Sequence, residues 1–328
     1  MSWNVYVTRE IPRPGIDLLK ENCDIVDVNP EDRVLTKEEL LENVKGRDGV
    51  LCLLTDAIDD EVFRAAEGAK IFANYAVGYD NIDVDAATRH KVMITNTPGV
   101  LTDATSDMAW ALLFSVARRI VEADRFTREG GFKGWGPMLF LGGDITGKTL
   151  GIIGAGRIGA AVALKSKGFR MRVLYADKVR NETLEKELGA RQVDMDTLLK
   201  ESDYVSIHVP LMPETTHLIG DRELDLMKET AYLINTSRGP VVDEKALVEA
   251  LREHKIAGAG LDVYEEEPKL TPGLVELENV VLAPHLGSAT IETRTKMALM
   301  AAGNLLAGLR GEMPPNLVNP EVLGKGQR

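Results

Sequence analysis

The 328-residue sequence predicts an α/β protein with two parallel sheets, on three observations. Short apolar, β-branched runs alternate with amphipathic stretches of helix length along most of the chain. The apolar runs fall into two series, separated by a long helical pattern. A glycine-rich turn opens the second series and joins an apolar run directly to a helix.

The first series of predicted strands is Val5–Thr8, Ile25–Val28, Gly49–Leu54, Ile71–Tyr75 and Val92–Thr95. The second is Leu150–Gly154, Arg172–Ala176, Tyr204–Val209, Ala231–Asn235, Ala259–Asp262 and Val280–Ala283. Their near-continuous hydrophobicity suits strands covered by helices on both faces. Helical periodicity falls on Lys37–Val44, Glu61–Glu67, Ile158–Lys167, Glu182–Leu188 and Glu244–Arg252. Two longer patterns break the rhythm. Leu101–Arg128 reads as one helix opened by the capping pair Thr102 and Asp103, and Ser288–Leu309 as another. Both are expected to connect domains, so the domains are interleaved: residues 1–97 with 288–328 form one, and residues 98–287 form the other. Gly130–Gly143 has little periodicity and reads as an exposed loop, and the tail 324–328 as frayed.

Composition narrows the function. With 39 Lys+Arg against 51 Asp+Glu the formal net charge is −12, and no basic patch stands out, which argues against nucleic acid or an anionic membrane as partner. No apolar run is long enough to cross a bilayer, and the N-terminal residues carry no secretion signal. Only two cysteines occur, Cys23 and Cys52, in no ligand spacing, as in a reducing compartment. No two histidines are spaced as metal ligands, so no metal is expected. The expectation is a cytoplasmic protein.

The strongest local signal is Gly154-Ala155-Gly156-Arg157-Ile158-Gly159, directly after an apolar strand. The three glycines serve different ends. Gly154 makes the tight turn, Gly156 lets a pyrophosphate approach the backbone, and Gly159 lets the helix pack on the strand. The pyrophosphate would rest on the free amides of the helix start at Arg157 and Ile158, where the dipole favours negative charge. Eighteen residues after Gly159, the next strand ends in Asp177, suitably placed for the ribose 2′-hydroxyl of NAD. A carboxylate there repels a 2′-phosphate, so NADH is expected over NADPH. The nearby Lys178 and Arg180 could soften that preference, and a plain strand-end turn is the rival reading of Asp177.

Three later segments carry chemistry: Asn235-Thr236-Ser237-Arg238-Gly239, then Asp262-Val263-Tyr264 running to Glu267-Pro268, then Pro284-His285-Leu286-Gly287. Each follows a predicted strand, at the end of a parallel sheet where ligands bind. In order and spacing these segments resemble the D-isomer-specific 2-hydroxyacid dehydrogenase family, over essentially the whole chain. Leu53-Leu54-Thr55, Val77 through Asp83 and Trp135 through Gly142 resemble its glyoxylate/hydroxypyruvate reductase branch. The resemblance implies a Rossmann-type cofactor domain inserted in a flavodoxin-like substrate domain, with the active site in the cleft between them. It implies that Arg238 binds the substrate carboxylate and carbonyl oxygen, and that His285 is the general acid and base. Glu267 would hold His285 and favour its imidazolium, and Asp262 would hold the nicotinamide carboxamide. Thr236, Val209 and Pro210 would line the cofactor. Leu53 and the amides of Val77 and Gly78 would meet the substrate. The Gly130–Gly143 loop would cross a two-fold interface, with Trp135 shaping the partner's pocket. A homodimer through residues 101–143 is therefore expected, helped by apolar surface at Met108, Trp110, Leu112, Leu113 and Phe114 beyond what one small domain needs.

Taken singly, Arg238 reads equally as an ion-pair partner, Glu267 as one of three glutamates in a solvated turn, and His285 as a strand-end histidine. Behind a dinucleotide cradle they read together. His90, His217 and His254 read as exposed, and His208 as structural or cofactor-lining. The expected activity is NAD(H)-dependent reduction of a small 2-keto acid such as glyoxylate or hydroxypyruvate. A phosphoglycerate or D-lactate dehydrogenase shares every catalytic residue and stays open as a rival. So does an NADH-sensing, corepressor-like binding protein.

Overall fold

The computed structural model describes residues 3–323, so the predicted tail 324–328 lies outside the described residues. The chain divides into two compact units, one running to Leu101 and resuming at Ala289, the other spanning Thr102–Ser288. Among the described residues no helix is long and apolar enough to cross a membrane.

The first unit alternates strictly: β1 (Asn4–Val7), α1 (Arg13–Asn22), β2 (Ile25–Val28), α2 (Lys37–Asn43), β3 (Gly49–Cys52), α3 (Asp60–Ala65), β4 (Ile71–Asn74), α4 (Val84–Arg89) and β5 (Met93–Thr95). All pairings are parallel, in the flavodoxin-like order β2-β1-β3-β4-β5. The central strands β3 and β4 are buried along their whole length, as expected of strands covered on both faces. The returning helix Ile291–Leu309 buries Ala298, Ala301, Ala302 and Leu305 against Val5, Val7, Leu51 and Ile71, while Val50, Phe63, Phe72 and Ile94 form the core of the opposite face. The free edge of β5 is covered by the segment around Leu317. There Asn319 Oδ1 accepts from the Ile94 amide at 2.8 Å and Val318 donates to the Ile94 carbonyl at 2.7 Å, which blocks edge-to-edge pairing.

The second unit starts with α5 (Thr102–Ala117) and α6 (Ile120–Arg128). Then come β6 (Thr149–Ile153), α7 (Arg157–Lys165), β7 (Arg172–Ala176), α8 (Glu182–Leu188), β8 (Arg191–Gln192), α9 (Met195–Glu201), β9 (Tyr204–Ile207), α10 (Asp221–Leu226), β10 (Tyr232–Asn235), α11 (Glu244–Arg252), β11 (Gly258–Leu261) and β12 (Val280–Leu282). The sheet is parallel throughout, in the order β12-β11-β10-β9-β6-β7-β8. Strand order reverses between β6 and β9, so the crevice beyond their carboxyl ends is the topological switch point of a Rossmann sheet.

Two expectations need correction. Leu101–Arg128 is not one helix: it breaks at Arg118 and Arg119, with Arg119 in the left-handed region at φ 53°. The Ala117 carbonyl accepts from the Gly143 amide at 2.9 Å, so the returning loop stops the helix, and Arg119 is held by Glu122 and over the Phe140 ring. The apolar residues of α5 are also not surplus. Trp110, Leu112 and Leu113 are buried in the core of their own unit, with Met108 and Phe114 packed on it, and Trp110 Nε1 donates to the Val162 carbonyl.

Candidate active site

The cradle is built where β6 runs out. Gly154 sits at φ +89°, and a Cβ there would lie 2.9 Å from the His208 carbonyl carbon and the Val209 amide nitrogen, across the switch point. A Cβ on Gly159 would come within 2.0 Å of the Gly154 carbonyl oxygen, so only glycine lets α7 start this close to the turn. Gly156 differs: it caps α7 without a side-chain bond, and nothing lies within 4 Å of where its Cβ would be. The start of α7 is thus exposed at Gly156 and Arg157, with the positive end of a helix dipole there. That is the arrangement a pyrophosphate needs.

Asp177 follows β7. Its Oδ2 accepts from the Ala155 amide inside the cradle at 2.7 Å, and its Oδ1 from the Val179 amide at 2.9 Å. A carboxylate accepts about four hydrogen bonds, so room remains for ribose hydroxyls. Two buried polar atoms at the carboxyl ends of the neighbouring strands β9 and β10 have no protein partner: His208 Nδ1 and Thr236 Oγ1. His208 reaches the surface in part, yet its ring nitrogens are enclosed, and burial pulls its pKa down to about 3. Its Nε2 is hydrogen-bonded to Ser206 Oγ at 2.8 Å. Buried polar groups in native proteins are nearly always paired, so these two atoms fit a ligand. The open cradle and the orphaned atoms suit a dinucleotide.

The second cluster comes from the loops after β10, β11 and β12. Asn235, almost fully buried, accepts from the Ser237 amide and donates to the Arg238 carbonyl, which shapes the turn that presents the half-buried Arg238. Gly239 lies against the Tyr264 backbone, where a Cβ would be 1.8 Å from the Tyr264 carbonyl carbon. Asp262 accepts from the amides of Leu286 at 2.6 Å and Gly287 at 2.7 Å, and the His285 amide donates to its carbonyl. Burial raises the Asp262 pKa against those bonds. His285 is held at φ 56°, strained for a non-glycine residue, with Nδ1 2.9 Å from Glu267 Oε2. Glu267 also accepts from the Tyr264 amide at 3.0 Å. Burial alone would push the Glu267 pKa up, but the His285 bond and charge, the Tyr264 amide and the Arg238 charge hold it below the usual carboxylate value.

The neighbouring glutamates have other partners, Glu265 with His217 and Glu266 with Lys269, so Glu267 is the member of the turn that meets His285. His90, bonded to Asp60, and His254 are exposed as expected. Trp135 is 85% exposed in its loop, with Met138 at 76% nearby in sequence.

In the first unit, Leu53, Val77 and Gly78 sit on two loops tied together by polar side chains to which the sequence alone assigns no role. Asn81 Nδ2 donates to the carbonyls of Leu53 at 3.1 Å and Asp56 at 3.0 Å, and Asn74 Nδ2 donates to the Gly78 carbonyl at 2.9 Å and to Asn81 Oδ1. Buried Asp56 accepts from Thr8 Oγ1 at 2.5 Å and from the Leu53 amide at 2.8 Å. Asn96 Nδ2 holds the Val77 carbonyl at 2.8 Å. The repeated Asn and Asp at strand ends was the signal available.

A glycine-rich cradle at the switch point of a Rossmann sheet, beside an imidazole–carboxylate pair and an arginine, fits a dinucleotide-dependent enzyme. The chain belongs to the D-isomer specific 2-hydroxyacid dehydrogenase family, whose NAD binding domain it matches over residues 110–287. It is 56% identical over 326 residues to a glyoxylate reductase of Korarchaeum cryptofilum, covering 98% of each chain. Among solved structures it resembles a glyoxylate reductase from Paecilomyes thermophila, with TM-score 0.85, 34% identity, and 97% and 98% of the two chains covered. It also resembles an NADPH-dependent glyoxylate/hydroxypyruvate reductase from Sinorhizobium meliloti in complex with NADP and malonate, with TM-score 0.84, 29% identity and 98% of each chain covered.

Proposed function

We propose that this chain reduces a small 2-keto acid, glyoxylate or hydroxypyruvate, to the D-2-hydroxy acid, with NADH preferred. The observation that carries the reading is the 2.9 Å bond between His285 Nδ1 and Glu267 Oε2. With Nδ1 donating to a carboxylate kept ionised, the ring is fixed in orientation and Nε2 is left to give a proton to the substrate carbonyl oxygen. A nicotinamide held there would supply the hydride. Arg238 offers a rigid donor fork to the substrate carboxylate and the carbonyl oxygen, and its positive charge stabilises the alkoxide character that develops there. On the first unit, Leu53 and the amides of Val77 and Gly78 are the groups this reading assigns to the substrate. Asp262 takes the carboxamide end of the cofactor, Thr236, Val209 and Pro210 line it, and the amides after Gly156 take its pyrophosphate. Asp177 accepts from the ribose and disfavours a 2′-phosphate.

Residues 1–97 with 288–328 are the substrate-binding domain in this reading, and residues 98–287 the cofactor domain. The chain forms a two-fold dimer through residues 101–143. The exposed Phe132, Trp135, Met138 and Leu141 support this, since that much apolar surface on one loop is costly in water. The free thiols Cys23 and Cys52 suit a cytoplasmic setting. The test is a steady-state panel of glyoxylate, hydroxypyruvate, pyruvate and phosphohydroxypyruvate with NADH and with NADPH. Highest kcat/KM for glyoxylate or hydroxypyruvate with NADH is expected; a preference for phosphohydroxypyruvate or pyruvate, or no turnover at all, refutes the assignment.

A further inference from the structure

We propose that Glu185 is a specificity-determining residue: it holds the Arg180 guanidinium at α8 and so withholds from the ribose site a flexible fork that could receive a 2′-phosphate. The inference rests on the reading of Asp177 as the ribose carboxylate.

The loop that carries these residues has a fixed backbone. Beyond the two amides held by Asp177, the Asn181 amide donates to Tyr175 Oη at 3.0 Å, and Asn181 Nδ2 donates to the Ala155 carbonyl at 2.8 Å. Asn181 also caps α8, and Gln192 Nε2 holds the Asp177 carbonyl at 2.8 Å. The Ala155 peptide of the cradle is thus gripped on both sides, by Asp177 at its N–H and by Asn181 at its C=O. Arg180 lies between these two anchors, so its backbone stays beside the cradle whichever way its side chain turns.

That side chain turns toward α8. Arg180 Nε donates to Glu185 Oε1 at 2.9 Å and Oε2 at 2.8 Å, and Nη2 donates to Oε2 as well. The carboxylate is itself positioned, because Tyr175 Oη donates to Oε1 at 2.7 Å. Those bonds, from Arg180 first and then Tyr175, hold the Glu185 pKa below the usual carboxylate value, so the pair is ionic at neutral pH. The other cation of the loop is restrained less: Lys178 makes one contact, 3.1 Å to Glu214, with both side chains more than half exposed.

A 2′-phosphate is received best by an arginine fork. Here that fork is already satisfied bidentately, and moving it would leave Glu185 with the Tyr175 hydroxyl but no cation. Selectivity then has two parts, repulsion by Asp177 and the withholding of Arg180. The sequence alone suggests the opposite, since an arginine three residues after Asp177 reads as a phosphate acceptor.

The experiment is calorimetric titration of the full-length protein with NAD+ and with NADP+. Glu185→Gln keeps the size and an acceptor for Tyr175 but releases the arginine. It is expected to tighten NADP+ about threefold to fivefold, the upper scale of an exposed ion pair, while NAD+ binding stays within about twofold. Adding Arg180→Ala to that variant should cancel the gain, which a general loosening of the loop would not do. Glu185→Ser repeats the release without the amide. Unchanged NADP+ affinity in both Glu185 variants, with Asp177→Ala shifting the NAD+/NADP+ ratio, overturns the inference and leaves the ribose reading intact. If Asp177→Ala also leaves the ratio unchanged, the ribose reading has failed.

Discussion

Alanine at the cradle glycines separates what folding needs from what the cofactor needs. Gly159→Ala places a Cβ 2.0 Å from the Gly154 carbonyl oxygen and 3.0 Å from Ile152 Cγ2. Overpacking of that kind costs about 1–3 kcal/mol, which at ~2–4 °C per kcal/mol for a unit of this size lowers Tm by about 3–10 °C. Gly156→Ala meets nothing within 4 Å, and its backbone at φ −70° and ψ −160° is ordinary for alanine. Its poorer capping costs about 0.5–1 kcal/mol, and the stiffer unfolded chain returns a similar ~0.4–1 kcal/mol, so Tm stays within about 2 °C. The new methyl nevertheless stands where a pyrophosphate must touch the backbone. NADH binding should weaken at least about tenfold, equivalent to ~1.4 kcal/mol. Differential scanning fluorimetry without ligand and calorimetric titration with NADH measure the two effects. Wild-type NADH affinity in a folded Gly156→Ala protein would refute the placement of the cofactor, and a wild-type Tm in Gly159→Ala would refute the packing argument.

Further outcomes follow from other parts of the molecule. Asn81→Ala removes the donor bonds to Leu53 and Asp56, so KM for the keto acid should rise about tenfold while the NADH Kd holds; a KM within twofold of wild type refutes loop ordering by Asn81. For His208 the folded pKa of about 3 lies below the ordinary 6.5, so protonation favours the unfolded chain and stability falls as pH drops below about 6.5. The loss is about 1.4 kcal/mol by pH 5.5, so wild-type Tm should fall from pH 7 to pH 5.5 by several degrees more than that of His208→Gln, and parallel curves would contradict it. Trp135→Glu with Met138→Glu should convert a dimer to a monomer in sedimentation velocity; an unchanged assembly would place the interface elsewhere.

What the sequence shows of this protein is whatever is encoded locally. The strands around β6, β7 and β9 to β11 are short apolar runs bounded by turns, and Gly159 is demanded by contacts with Gly154 and Ile152, a few residues away. Arg238, Glu267 and His285 were legible because each sits in a distinctive linear segment just after a strand. The two-residue strand β8 carries no hydrophobic signal, being exposed and joined to one edge of the sheet. The helix break at Arg118 and Arg119 was hidden because local propensity favours continuing, and the stop is made by Gly143, a loop away. The apolar side of α5 read as surplus because the sequence does not show that α7 and β11 lie across from it. Asn74, Asn81 and Asp56 depend on the register of β3 against β4, which no single segment encodes. Arg180 read as a free cation for the same reason: its partner is fixed by the shape of the loop.

The most direct test of the account is single-turnover reduction of glyoxylate by the His285→Gln variant, with NADH binding measured on the same preparation. Loss of the proton donor, with the cradle intact, predicts a rate about 10²–10⁴-fold below wild type and an NADH Kd within about twofold. A rate within a few-fold of wild type would contradict the assignment of His285 as the acid, and with it the proposed mechanism.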